Sequence, residues 1–416
     1  MSVGPALGAA VWKRARSALF WCHLVTGVAV ALVVLLMSVT GVLLTYQRQM
    51  TAWADTRGLD ASPPSPTAER LPVDTLLARA RQAAPGRPTA VTLRADRDEP
   101  VEVAFGRERT LFLSAYTGAV LGEGATRLRA FFRTTTDLHR WLAASGEHRA
   151  TGRSITGAAN LGFLFLVMSG FVLWFPRTWT RRAVRNVTLF RRGLSGKARD
   201  FNWHNVIGLW SALPLAVVVA SGAVISYPWA SDLVYRAVGE APPARAAAPT
   251  PPARAEADVG RAGTEDAGDA STASALQPLV ARAEQRLPGW RSLTVQLPTS
   301  REAPVTVTLD RGTGGQPQAR AQLTLDQATA REVRWQPFEA GTRGRQLRSI
   351  LRFAHTGEVL GLPGQTVAGL VSLGGALLVW TGLALSWRRL ASWRNRRRLR
   401  AFSPLPRELP ARETAA

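Results

Sequence analysis

Residues 203–229 read WHNVIGLWSALPLAVVVASGAVISYPW, with no acidic or basic residue after His204. The stretch exceeds the roughly 20 apolar residues that a helix needs to cross a hydrocarbon layer. It must be a helix, because an open strand would leave backbone groups unsatisfied in lipid. The same ruler occurs near the N-terminus, where His23, Gly27, Thr40, Gly41 and Tyr46 match His204, Gly208, Ser221, Gly222 and Tyr227 at a constant offset of 181 residues. Two further apolar stretches bring the expected spans to four, over 18–46, 152–175, 204–229 and 362–387.

The 416-residue chain carries a formal net charge of +23, and the placement of that charge points to topology rather than to nucleic acid. Arg177, Arg181, Arg182, Arg185, Arg191, Arg192, Lys197 and Arg199 stand between spans two and three against the single acid Asp200, and a second cluster runs from Arg388 to Arg400. By the positive-inside rule, residues 1–17, 176–203 and 388–416 face the cytoplasm and the long segments after spans one and three are external. The basic patches then contact membrane lipid, and no nucleic-acid partner is expected. Lys13, Arg14 and Arg16 resemble the start of a secretory signal, but the span after them is too long for a cleaved one and reads as a retained anchor. Cys22 is the only cysteine, so neither a disulfide framework nor a Cys-x-x-Cys-His haem attachment can be built.

The repetition extends beyond the helices. Leu76-Leu-Ala-Arg-Ala-Arg-Gln-Ala-Ala-Pro-Gly86 recurs as Leu279-Val-Ala-Arg-Ala-Glu-Gln-Arg-Leu-Pro-Gly289, and Ser169-Gly170 in span two answers Thr381-Gly382 in span four. The chain reads as an internal duplication of one unit: helix, external α+β domain, helix. Alternating runs at Thr89–Arg94, Val101–Phe105 and Thr110–Leu113 predict an antiparallel sheet. The first external domain is expected over 47–136, followed by a pre-span segment at 137–151. The second is expected over 230–345, followed by one at 346–361. Residues 241–275, poor in large apolar side chains, read as a disordered insertion.

Four of the five histidines lie at span ends. His23 and His204 open spans one and three on the cytoplasmic side, while His139 and His355 precede spans two and four on the outer side. Neutral imidazole suits iron, and two rings per face is what two bis-imidazole haems require. His148 lies nearer to span two, and spacing leaves it open as the outer ligand in place of His139. Eighteen residues make five helical turns, so Gly41 lies on the stripe of His23 and Gly222 on that of His204, about 27 Å along the axis. A bare backbone patch there would let a flat macrocycle, or a neighbouring helix, come close. Arg140 and Arg352 stand beside the outer histidines, where guanidinium pairs with haem propionate. No dinucleotide fingerprint, P-loop, Ser-His-Asp arrangement or zincin motif is present, so no catalytic side chain is assigned and any electrons must come from another molecule.

The segments Trp21-Cys-His23-Leu-Val-Thr-Gly27, Leu138-His139-Arg-Trp-Leu, Trp203-His204-Asn-Val-Ile-Gly208-Leu-Trp and Ala354-His355-Thr-Gly357-Glu-Val-Leu-Gly361 resemble the signature histidine motifs of the PepSY-associated transmembrane helix family, the iron-regulated membrane proteins. The resemblance covers nearly the whole chain. It implies a mainly α membrane protein of the bacterial inner membrane: a four-helix transmembrane bundle with two extracytoplasmic PepSY-like α+β domains. His23, His204, His139 and His355 fall on the motif histidines, whereas Asn205 stands where an arginine often follows the third, and Val25 and Thr26 replace the more usual residues after the first. Some members are similar to haem-containing reductases of siderophore-bound ferric iron. That likeness implies two haem b groups held by histidine pairs, a cytoplasmic electron donor and a periplasmic iron chelate as acceptor. A second reading is a non-enzymatic module whose PepSY-like domains bind periplasmic peptides, proteases or partner subunits, with the histidines anchoring helix ends. A third is a transporter that moves a chelate inward.

Overall fold

A computed structural model describes residues 4–106, 109–176, 179–244, 275–298, 300 and 302–402. The first half runs α1 (Gly4–Leu44), α2 (Gln47–Thr56), α3 (Val73–Ala83), strands β1 to β4 (Ala90–Arg94, Val101–Phe105, Arg109–Leu113, Val120–Glu123), α4 (Thr126–Trp141) and α5 (His148–Trp174). After α6 (Arg181–Thr188) the second half follows the same order. It runs α7 (Gly196–Ser226), α8 (Pro228–Ala237), α9 (Gln277–Arg286), β5 to β8 (Ser292–Gln296, Val305–Asp310, Arg320–Leu325, Glu332–Pro337), α10 (Arg343–His355) and α11 (Gly361–Phe402).

Helices α1, α5, α7 and α11 are long and apolar enough to cross a membrane. Each of α1 and α7 packs against both α5 and α11, so the four close a bundle. Small residues set the approach of the helices: a Cβ on Gly375 would meet Ser38 Oγ at 2.9 Å, and one on Gly369 would meet Thr45 Oγ1 at 2.9 Å. Leu32, Leu213, Leu370 and Trp380 point outward, exposed, as lipid-facing residues do.

The helices overrun the expected spans. Helix α7 begins at Gly196 rather than 204, and α11 continues to Phe402 through the arginines expected as a tail, because arginine is a good helix former and its long stem lets the charge reach water. The pre-span segment expected at 137–151 divides among the end of α4, which runs Thr126–Trp141, a turn over 142–147 and the first residues of α5, which starts at His148. Of the insertion expected at 241–275, residues 245–274 lie outside the described residues, and 241–244 form no helix or strand.

The eight strands form one antiparallel sheet in the order β4-β3-β2-β1-β5-β6-β7-β8. Strand alternation puts Val91, Val103, Leu111, Val295, Val307 and Leu323 on one face, under Leu76, Leu77 and Ala80 of α3 and Leu279, Val280 and Ala283 of α9. Thr92 and Thr294 face the other way, their hydroxyls 3.0 Å apart. Where two separate external domains were expected, the two four-stranded halves share one sheet and one core through the β1–β5 pairing, with Val91 opposite Val295. Each of these strands would otherwise be an open edge. The helices cross-cap too: the Asp74 carboxylate accepts from the backbone of Leu276 and Gln277, and Gln277 Oε1 accepts from Val73 N. Below the sheet, α4 packs on α1 and α5, and α10 on α7 and α8, which carries one histidine from each half down onto the bundle.

Candidate functional site

The four span-end histidines are held by one local design. On the side of the bundle away from the sheet, His23 Nδ1 lies 2.8 Å from Ser169 Oγ and His204 Nδ1 lies 2.9 Å from Thr381 Oγ1. On the sheet side, His139 Nδ1 lies 2.8 Å from Thr40 Oγ1, and His355 Nδ1 lies 2.8 Å from the Val218 carbonyl with Ser221 Oγ at 3.5 Å. Each hydroxyl donates its own proton to the carbonyl four residues back: Thr40 to Leu36, Ser169 to Phe165, Ser221 to Val217 and Thr381 to Leu377, at 2.6–2.8 Å. The hydroxyls of Thr40, Ser169 and Thr381 can therefore only accept from the imidazole, as can the Val218 carbonyl. Nδ1 carries the proton in all four rings, and Nε2 keeps its lone pair.

The residue after each hydroxyl is glycine. A Cβ at Gly41 would lie 3.7 Å from His139 Cε1, at Gly170 3.3 Å from His23 Cε1, at Gly222 3.2 Å from His355 Cε1 and at Gly382 3.5 Å from His204 Cε1. Each Ser/Thr-Gly pair thus fixes a ring by the hydroxyl and makes room for it by the glycine.

The ring centroids of His139 and His355 are 6.4 Å apart, tilted by 59°. Two imidazoles that share one metal through bonds of about 2 Å have centroids about 6 Å apart. Burial first, and then the neighbouring His355, holds His139 down at about 4, and burial lowers His355 as well, so both rings are neutral at physiological pH. His148 is exposed at the start of α5 and is not brought to this pair. His23 and His204 take the matching place at the other end of the bundle, each set against the glycine of a neighbouring span, Gly170 and Gly382. Seventeen residues of α1 separate His23 from Thr40, which puts the two pairs about 25 Å apart along the helix.

A family model described as the PepSY-associated TM region matches residues 20–389. The chain belongs to that family. Among curated proteins, none matches it.

In this PepSY-associated protein the sheet-side pair opens into a cavity of about 950 Å³ that reaches from Met37 and Val218 in the bundle to Glu102 and Phe112 of the sheet. Arg140, Arg153 and Arg352 line it next to the histidines. Arg140 lies 4.5 Å over the Trp141 ring, and Arg153 donates to the Ser226 carbonyl at 2.8 Å. No carboxylate pairs with any of the three among the described residues. Burial, then Arg153 and Arg352, pushes the Arg140 guanidinium below its ordinary value, and the charge of Asp137 only partly offsets them, as expected where positive charges outnumber the acids beside them. Farther out the walls are neutralised: Arg48 pairs with Glu358 at 3.0 Å, Arg129 with Asp55, and Arg94 reaches Glu99 at 3.9 Å.

Sequence reasoning placed Gly41 and Gly222 on the stripes of His23 and His204. The structure sets them against the rings of His139 and His355, and gives Gly170 and Gly382 the same place at the other pair. It missed the hydroxyls of Thr40, Ser169, Ser221 and Thr381, and it missed Arg153. The signal for the hydroxyls was in plain view, since a Ser/Thr-Gly pair occurs in each of the four spans.

Proposed function

We propose that this chain is a di-haem membrane electron-transfer protein of the bacterial inner membrane, built by duplication of a unit of helix, PepSY-like α+β domain and helix. The observation that carries the reading is the His139–His355 pair: two neutral rings at 6.4 Å, both with Nε2 free, at the head of a cavity. Two imidazoles supply two ligands, so a metal between them must bring the others itself. Among the described residues no three His, Cys, Asp or Glu side chains gather as a bare ion would need. A haem fits, since the macrocycle provides four nitrogens and the glycines leave the rings unobstructed.

On this reading His23 and His204 hold the cytoplasmic-side group, and His139 and His355 the periplasmic one. Haem b at each pair would supply one-electron iron chemistry. Ser169, Thr381, Thr40 and the Val218 carbonyl orient the ligand rings and fix their tautomer. Arg140 and Arg352, with Arg153 beside them, neutralise the propionates. With the arginine-rich loop and both termini in the cytoplasm, the protein takes reducing equivalents from a cytoplasmic donor and delivers them to a periplasmic ferric chelate, which enters through the cavity below β2 and β3. That makes it a ferric, siderophore-type reductase.

The test is reduction of a ferric chelate outside vesicles that contain the protein and an enclosed reductant. Reduction that is lost in both the His204→Ala and the His355→Ala variant is expected. Equal reduction by these variants, or a solubilised protein without a Soret band, would leave the non-enzymatic module as the better reading.

A further inference from the structure

Helix α6 lies on the side of the bundle away from the sheet, and it is fastened there rather than loosely tethered. Trp174 Nε1 of α5 donates to the Val187 carbonyl at 3.1 Å, and Trp210 Nε1 of α7 donates to the Thr188 carbonyl at 3.0 Å. The buried Asn202 amide donates to the carbonyls of Asn186 at 2.7 Å and Leu189 at 3.0 Å, and its oxygen accepts from Arg191 N at 3.1 Å. The short helix therefore holds a fixed pose against two spans.

That pose presents two unlike surfaces. Leu189 and Phe190, just after α6, and Trp210, on the part of α7 that α6 is fastened to, are 51 %, 60 % and 68 % exposed, as apolar and aromatic side chains are near the lipid interface. Beside them is a cleft of about 320 Å³ lined by Arg181, Arg182, Arg185, Asn186 and Arg191. Its one internal bond runs from Arg191 Nη1 to Asn186 Oδ1 at 2.7 Å, and no carboxylate lines it. The nearest acid in sequence, Asp200, is engaged by Arg199 and Arg388, each at 2.9 Å. Four exposed arginines that line one cleft, with no carboxylate among its lining, make a cationic concavity suited to a multidentate anion.

We propose that this cleft binds the phosphodiester headgroup of an anionic phospholipid from the adjoining leaflet. Guanidinium grips phosphate oxygens with paired hydrogen bonds, and the exposed apolar side chains alongside would receive the acyl chains. A cleft this small suits one headgroup. The proposal is independent of what the histidines hold.

The full chain in neutral detergent, titrated with phosphatidylglycerol, phosphatidylcholine or inorganic phosphate and read by native mass spectrometry, tests it. The unmodified protein is expected to retain phosphatidylglycerol in preference to the other two. The double variant Arg182→Gln/Arg185→Gln, whose exposed side chains make no hydrogen bond or ion pair among the described residues, is expected to lose that retention by at least about tenfold, given two cations removed at a lipid surface. An Arg394→Gln/Arg396→Gln control, equal in charge but outside the cleft on the end of α11, should lose only the roughly threefold or less left to screened surface charge. Equal loss in the control, unchanged retention in the α6 variant, or inorganic phosphate held as well as the lipid would overturn the assignment. So would a variant that keeps its lipid and loses affinity for an acidic protein donor instead.

Discussion

The two histidine pairs share a mounting and differ in what surrounds them. His23 and His204 belong to spanning helices and are braced by hydroxyls on the neighbouring spans, Ser169 and Thr381. His139 and His355 sit at the ends of shorter helices that descend from the sheet, and they are braced by spans one and three. The first pair is thus fixed by the bundle alone. The second depends on the bundle and on the sheet that carries α4 and α10, and it opens to a charged cavity. Identical imidazole chemistry is set once among packed helices and once at a mouth, as an inner relay and an exchange site would be.

That contrast can be broken most sharply by removing one ring from each pair. His355→Ala should abolish the sheet-side haem and His204→Ala the other, each leaving its counterpart in place, as read by difference spectra. Loss of both from either single variant would mean that the pairs are not independent. Next in size is Gly222→Leu, which drives a side chain into the space of His355 and Asn160 and should empty the sheet-side site nearly as fully. Gly222→Ala, with its Cβ at 3.2 Å from both, should weaken haem retention only in part.

The bracing bonds give a smaller and more discriminating effect. Thr381→Val removes the hydroxyl that His204 Nδ1 meets at 2.9 Å and should cost about 10-fold in metal-group affinity, measured by haem transfer to an acceptor protein. Ser221→Ala should cost much less, because the principal partner of His355 is the Val218 carbonyl at 2.8 Å and the serine stands at 3.5 Å. Equal losses in the two variants would contradict the assigned hydrogen bonds. Smallest of all, Arg140→Gln should shift the potential of the sheet-side group while leaving haem content intact, and His148→Ala should change neither.

Much of this arrangement was legible in the residues. Unbroken apolar runs fixed the four spans, and the constant spacing from His23 to Tyr46 and from His204 to Tyr227 picked out the histidines. What stayed hidden was long-range pairing. Ser169 lies 146 residues from the ring it orients, and an i to i+4 bonded serine in a helix gives no local sign of a second partner. The β1–β5 contact joins residues some 200 positions apart, and alternation alone cannot tell which strand edges meet. Helix ends were misjudged for a different reason: apolar runs mark hydrocarbon, whereas α7 and α11 go on as helices past it into the basic residues.

The most direct measurement is the haem-to-polypeptide ratio of the detergent-solubilised chain, taken with the spin state of its iron. Two haems per chain, both six-coordinate and low-spin, are expected of four imidazoles meeting in pairs. A ratio of one or none, or a high-spin signal from either centre, would contradict that pairing.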